Sequence, residues 1–345
     1  MEIDLSKYKL RTDLIDEVIS SLDEKKGITT IEEIVNDIKV IRVNINDDKL
    51  IDKKKGDYIT ISFDDVTDTT NNKNITKVFI KELKSIIKEL KIKDSASCLA
   101  VGLGNSSSTP DSLGPNTIDK LIVTRHFFLM DIDIEAGFRS LAAINPSVTG
   151  KTGIETSDLL LSIINNIKPD FVIVIDALAS GSIDRVNKTI QITNTGIHPG
   201  SGVGNQRKEI SFDTLGIPVI AIGIPTVVDA VTIVSDTINY MMKSFSYNKE
   251  NINKAKNKLN PGLLPNYMKD ETLEELNIEE KKNMLGLVGS LSDDEIRQLI
   301  FEVLSPIGYN LMVTPKEVDF VIEKLVEVLA NGINSVLHKK IDKII

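Results

Sequence analysis

Two aspartates stand where chemistry can be built. Residues 99–115 read LAVGLGNSSSTPDSLGP: an apolar run enters the small-residue turn Gly102-Leu103-Gly104-Asn105, and a polar loop then leads to Asp111. Asp176 directly follows FVIVI, residues 171–175. A carboxylate at the carboxyl end of a buried strand lies where a parallel sheet presents side chains to a ligand. Thr109 and Pro110 suit the cap and first position of a helix, which puts Asp111 in its first turn, facing the positive end of the helix dipole. Two carboxyls held together cannot both ionise freely, so they share a proton. One then serves as base toward a water and the other as acid toward a carbonyl or leaving group. Hydrolysis of a peptide bond by activated water follows from such a pair. Each aspartate also has a plainer reading, Asp111 as a first-turn acid and Asp176 as a cap for the turn after it.

Other chemistries find fewer of their residues. Gly102-Leu103-Gly104 begins a dinucleotide fingerprint, but its third glycine falls on Ser107. His126, His198 and His338 form no H-E-x-x-H motif, and no G-x-S-x-G elbow is present. His198 lies in the loop GIHPGSGVGN, residues 196–205. That loop could offer backbone N–H groups to a substrate or oxyanion, or simply be a turn rich in glycine. Gly104, Asn105, His198 and Gly200 are the candidates for such contacts. His126 and His338 read as structural, and the lysine runs as solvated faces. The carboxyl chemistry calls for no cofactor and no metal.

The elements that must position these residues alternate between strand and helix. Apolar spacing predicts a short helix over 14–22 and an amphipathic helix over 75–90. β-branched runs predict strands at 38–43 and 58–63, and a half-exposed strand at 189–193. Buried strands are expected at 98–103, 171–175 and 218–222, with a short one at 121–124. Helices are expected over 157–167, 226–242, 271–287, 292–304 and 315–337. Ser157 and Thr314 are their possible caps, and Ser292 opens a capping box. Residues 244–270, rich in Asn, Lys and Pro, read as a linker or a flexible surface insert. This order argues for an α/β fold with a mostly parallel or mixed sheet flanked by helices.

The bulk properties fit that picture. The 345 residues are 41% hydrophobic and 26% charged, as in a water-soluble domain. A formal net charge of −9 gives no electrostatic case for nucleic-acid binding. The single cysteine, Cys98, permits no intrachain disulfide, which suits a reducing cytoplasm, and it reads as a small buried hydrophobe. The opening MEIDLSKYKLRTD lacks the apolar core of a signal peptide. No apolar run reaches the ~20 residues that a membrane span needs.

Several long blocks go beyond composition. RTDL near the N-terminus, GLGN…TPDSLGP, INPSVTGKTGIET, VIVIDALAS, TNTGIHPGSGVGN, IGIPTVVDA, LMVTPKEVD and VLANGINSVLH together resemble the germination protease family of spore-forming bacteria, across about residues 8 to 338. The resemblance implies an endopeptidase that begins degrading small acid-soluble, DNA-coating spore proteins. It implies a zymogen that removes its own prosegment, residues 1–13, by cutting between Asp13 and Leu14. The rest, 14–345, would then be a single α/β protease domain with the insert near 244–270. It further implies a homotetramer in the cytoplasm of the forespore or spore core, acting on proteins rather than directly on nucleic acid or membrane. The fold it implies is that of the hydrogenase-maturation proteases, and the two aspartates of an atypical acid protease carry over onto Asp111 and Asp176. The chain departs from the family's habit at Ser106-Ser107-Ser108 and at Ser180-Gly181, both beside the expected site. Two alternatives stand beside this reading: a metal-dependent maturation-type protease using both aspartates and a histidine, and a non-catalytic spore scaffold.

Overall fold

β-Branched runs and glycine turns build one mixed sheet, seen in a computed structural model that describes residues 12–20, 22, 26–47, 53–130, 135–200, 207–251, 276–304 and 311–341. Its eight longer strands are β1 (Ile28–Val35), β2 (Ile38–Ile45), β3 (Gly56–Ser62), β4 (Cys98–Gly102), β5 (Leu141–Ile144), β6 (Phe171–Ser180), β7 (Thr189–Thr193) and β8 (Val219–Asp229). They lie in the order β1-β2-β3-β7-β8-β6-β4-β5. From β5 to β8 the neighbours run parallel, and from β8 to β1 they run antiparallel. β8 is therefore the strand at which the sheet changes sense. The expectation of a mixed α/β sheet flanked by helices is met.

Alternation along each strand sorts side chains to the two faces. On one face Phe171, Ile173 and Ile175 join Ile190, Ile192, Ile220 and Ile222 beneath two long helices, α2 (Thr69–Glu89) and Val318–Leu337. Those helices meet closely where Gly332 packs on the Phe79 ring, because a side chain at 332 would overlap it. On the other face Val172 and Val174 pack with Leu99, Val101 and Leu103 against Leu160 and Ile164 of the helix Thr156–Ile167. Cys98 is buried in the first core, as expected, and burial pushes its thiol pKa up.

Several boundaries differ from the sequence-based expectation, for local reasons. β1 was not foreseen: ITTIEEIV is mostly exposed, an edge strand without a strong apolar face. The helix expected over 75–90 starts earlier, as α2 at Thr69, since Asp68 caps it by accepting from Asn71 N at 2.8 Å. Residues 121–124 form no strand. Thr189–Thr193 is buried along its whole length rather than half-exposed, because β3 and β8 flank it and both faces are covered. β8 runs on to Asp229, where a helix over 226–242 was expected; the helix begins at Ala230. The last helix starts at Val318 instead of 315, and Thr314 is used otherwise, donating to the Thr226 carbonyl at 2.8 Å.

Cα packing divides the chain into two units where the sequence suggested one domain. The larger, Arg11–Val228 with Val313–Ile345, holds every candidate site residue. The smaller, whose described residues lie within Asp229–Met312, contains the helices Ala230–Asn251, Ile278–Leu285 and Asp293–Leu304. Residues 244–251 thus continue a helix, and 252–275 lie outside the described residues. The capping box at Ser292 forms: Ser292 N donates to Glu295 Oε2 at 2.8 Å and Glu295 N to Ser292 Oγ at 3.3 Å. Among the described residues no helix is long and apolar enough to cross a membrane.

Candidate active site

Asp111 closes a tight turn after β4. The α-helix expected at Thr109 begins only at Leu113, as α3 (Leu113–Asp119), and Thr109–Asp111 form a single 3-10 turn before it. Asp111 is therefore held by the loop rather than by a helix dipole. Asn105 N donates both to the Asp111 carbonyl at 3.0 Å and to its Oδ2 at 2.9 Å. Gly104 permits this approach: its φ is +114°, and a Cβ there would overlap the Asp111 carbonyl oxygen. Asn105 Oδ1 in turn accepts from Lys151 Nζ at 2.6 Å, so the loop is braced by the lysine of GKTGIET. Leu103 N donates to the Ile175 carbonyl at 2.8 Å, which ties this turn to β6 just ahead of Asp176.

Asp176 lies within β6 instead of at its end, since the strand continues to Ser180. By alternation it shares a face with Val172 and Val174. Its carboxyl is 6% exposed and accepts from Ala177 N at 2.9 Å. Burial first, then the negative charge of Asp111, then that of Asp13, drive its pKa well above the usual carboxylate value. Asp111 is also raised by burial, with the Asn105 N–H and the charge of Arg207 opposing. The two aspartates that the sequence singled out therefore sense one another, and the pKa of Asp176 is raised further than that of Asp111.

The segment carrying Asp13 and Leu14 is bound beside them. Asp13 N donates to the Ala179 carbonyl at 3.0 Å, and Ala179 N donates back to Asp13 Oδ2 at 2.9 Å. The Asp13 carbonyl oxygen accepts from Gln191 Nε2 at 3.1 Å and from Lys53 Nζ at 3.3 Å. Leu14 is fully buried, and Ile15 opens the helix α1 (Ile15–Ser20). Asp16 pairs with Arg185. Glu17 accepts from Gly181 N at 2.7 Å and Ser180 Oγ at 3.0 Å, and burial raises its pKa. The rest of the expected prosegment, residues 1–11, lies outside the described residues.

His198 stands elsewhere. It pairs with Glu209 at 3.3 Å, and Glu209 pairs with Lys54 at 2.8 Å, in a cluster that includes neither aspartate. Gly200, at φ +73°, ends the described part of that loop; residues 201–206 lie outside it. His338 is buried, with Nδ1 accepting from Arg139 N at 3.3 Å and Nε2 donating to the Ile122 carbonyl oxygen at 2.9 Å. No group of three or more His, Cys, Asp or Glu among the described residues is arranged to hold a metal ion. Sequence reasoning missed Gln191, Lys53, Lys151 and Arg185. A glutamine in the apolar run TIQIT was the one available signal.

Fold and site together define an α/β protein in which a buried carboxyl, Asp176, senses the charge of the half-buried Asp111 near the strand where the sheet changes sense. The sequence profile described as germination protease matches residues 10–344. Over 359 residues the chain is 49% identical to the germination protease of Priestia megaterium (strain ATCC 12872 / QMB1551), covering 99% of this chain and 97% of that protein. It is also 49% identical over 355 residues to that of Bacillus cereus (strain AH187), with 99% and 97% covered. The germination protease of Oceanobacillus iheyensis is 49% identical over 358 residues, with 99% and 98% covered. Among solved structures, the NiFe hydrogenase maturation protease HycI from Thermococcus kodakarensis KOD1 is similar at 15% identity and a TM-score of 0.26, covering 42% of this chain and 80% of that one. The chain belongs to the germination protease family, and so to the proteases of spore germination.

Proposed function

We propose that the chain is an endopeptidase of atypical aspartic type, made as a zymogen that cuts its own bond between Asp13 and Leu14. Once cut, it degrades small acid-soluble spore proteins in the spore core, as a homotetramer. The observation that carries this reading is the buried Asp176 carboxyl, raised by the charges of both Asp111 and Asp13.

The reaction needs only a water and two carboxyls in opposite states. Asp111, the less strongly raised, is the carboxylate that takes a proton from the water. The water oxygen bonds to the Asp13 carbonyl carbon. Asp176 gives its proton to the reacting carbonyl oxygen, so that a neutral diol forms. Asp111 then passes the water's proton to the Leu14 nitrogen as the C–N bond breaks, and Asp176 takes a proton back from one diol hydroxyl. The products are the Asp13 carboxylic acid and the Leu14 amine. Asp111 ends as the carboxylate and Asp176 as the acid, so one water is consumed and no other reactant is needed.

Asp111→Asn and Asp176→Asn test the mechanism, with intact mass reporting self-cleavage and a purified small acid-soluble spore protein as second substrate. Each variant is expected to slow both reactions by roughly 10²–10⁴-fold. Cleavage at the parent rate by both variants would overturn the carboxyl mechanism. A sedimentation mass of four chains is expected for the assembly, and a monomer would remove the tetramer.

A further inference from the structure

We propose that Gln191 sets which peptide bond is cut: its side-chain amide grips the chain on both sides of the bond between Asp13 and Leu14, and Lys53 joins it on the reacting oxygen. This rests on the reading that Asp13 and Leu14 flank the cut bond. Gln191 Nε2 donates to the Asp13 carbonyl oxygen at 3.1 Å, and its Oε1 accepts from Ile15 N at 2.7 Å. A carboxamide is a chemical copy of a backbone peptide group. One residue of a parallel strand bonds its neighbour in this way, giving an N–H to residue i and a C=O to residue i+2. Gln191 therefore adds one strand-like residue to the bound chain. Both ends of the amide are satisfied in this orientation, and reversing it would set donor against donor and acceptor against acceptor.

The sheet fixes where this amide stands. Gln191 pairs with Gly223, and Gly223 pairs with Asp176, so the three form one row across β7, β8 and β6. Residues in one row present side chains to one face. Gly223 has none, and the Leu178 side chain fills the space above it. Gln191 and Asp176 thus project from the same face, and Gln191 is 7% exposed, which holds its amide in place. Slipping the bound chain by one residue would turn a different pair of backbone groups toward the amide, and neither bond would form. When water adds to the Asp13 carbonyl, negative charge develops on the oxygen held by a neutral N–H donor and by an ammonium, and both bonds strengthen.

The test uses the full chain carrying Gln191→Glu, which keeps the shape and the acceptor but loses the donor, and Gln191→Met, which loses both. Thermal melting reports the fold, and intact mass reports the rate and position of self-cleavage. Removing one such donor is expected to slow cleavage by about 10²-fold. Slowing of about tenfold or more in a variant that melts like the parent supports the proposal; a smaller effect overturns it. A substrate change separates this from a structural role. A synthetic peptide of residues 9–20 is offered to the self-processed parent with the linkage between Leu14 and Ile15 as an amide or as an ester, which lacks the Ile15 N–H. The ester peptide is expected to lose up to about tenfold in kcat/KM, and equal cleavage of the two overturns the proposal even if both variants fail to fold. If the parent cuts itself at another bond, the assignment of the cut bond is at fault and the proposal falls with it. If the parent cuts between Asp13 and Leu14 while the variants and the ester peptide are unaffected, the role of Gln191 alone is wrong.

Discussion

Gln191 and Asp176 stand in one row of the sheet with Gly223 between them. The row crosses β8, where the sheet passes from parallel to antiparallel, so a buried acid from one half and a polar amide from the other project from the same face. The Asp13 segment is bound to both halves, to Ala179 of β6 and to Gln191 of β7.

The state of Asp176 gives stability a pH dependence of known sign. Its pKa in the fold lies well above the usual 3.8, so the folded chain binds this proton more tightly than the unfolded one. The contribution of this group is present in full below that usual value and is lost as pH rises toward the folded value. Asp176→Asn removes the loss. Melting curves taken from acid to neutral pH are expected to show the variant gaining on the parent as pH rises, and parallel curves would refute the buried, protonated state.

Chelation separates the carboxyl mechanism from a metal-dependent one. The proposed reaction uses only two carboxyls and a water, and no described group of three acids, histidines or cysteine is arranged for a metal. Cleavage of the spore protein is expected to continue at an unchanged rate after dialysis against a tight chelator. A loss restored by added divalent metal would favour the metal-dependent alternative.

Gly114 seats α3 against the turn after β4 and the middle of β6. A Cβ there would overlap the Leu103 carbonyl oxygen and stand 2.6 Å from that of Ile175, both backbone atoms beside the site. Gly114→Ala is expected to destabilise the fold by about 1–3 kcal/mol and to lower activity further by displacing the Asp111 turn. Denaturant unfolding followed by rate measurement on the folded variant checks both effects.

Arg185 anchors the bound segment. It pairs with Asp16 and donates to Ser62 Oγ at 3.0 Å. A charge-assisted hydrogen bond contributes roughly 1.5–3 kcal/mol, so Arg185→Ala is expected to raise amide exchange in α1 by at least about tenfold. Exchange confined to the parent rate would mean that Arg185 does not hold this segment.

The long elements were legible in the sequence because their own periodicity specifies them. Residues 171–175 can only be a buried strand, and the spacing of Ile75, Val78, Phe79, Leu83 and Ile86 can only line one face of a helix. Asp111 and Asp176 could be singled out because each interrupts or follows such a pattern with a charge. What the sequence alone could not decide is lateral. Whether Thr189–Thr193 is half-exposed or buried depends on its being flanked by β3 and β8, and nothing in TIQIT records its neighbours. Gln191 reads as a polar residue on a solvent face until Gly223 and Asp176 are known to share its row. Lys53 reads as part of a solvated lysine run until the chain near residue 13 folds back onto it. Periodicity along the chain follows from local backbone geometry and is written in the order of residues. Register between strands, and with it the meeting of Asp13, Asp176 and Gln191, is set by how distant segments bury their surfaces together, which only the tertiary structure decides.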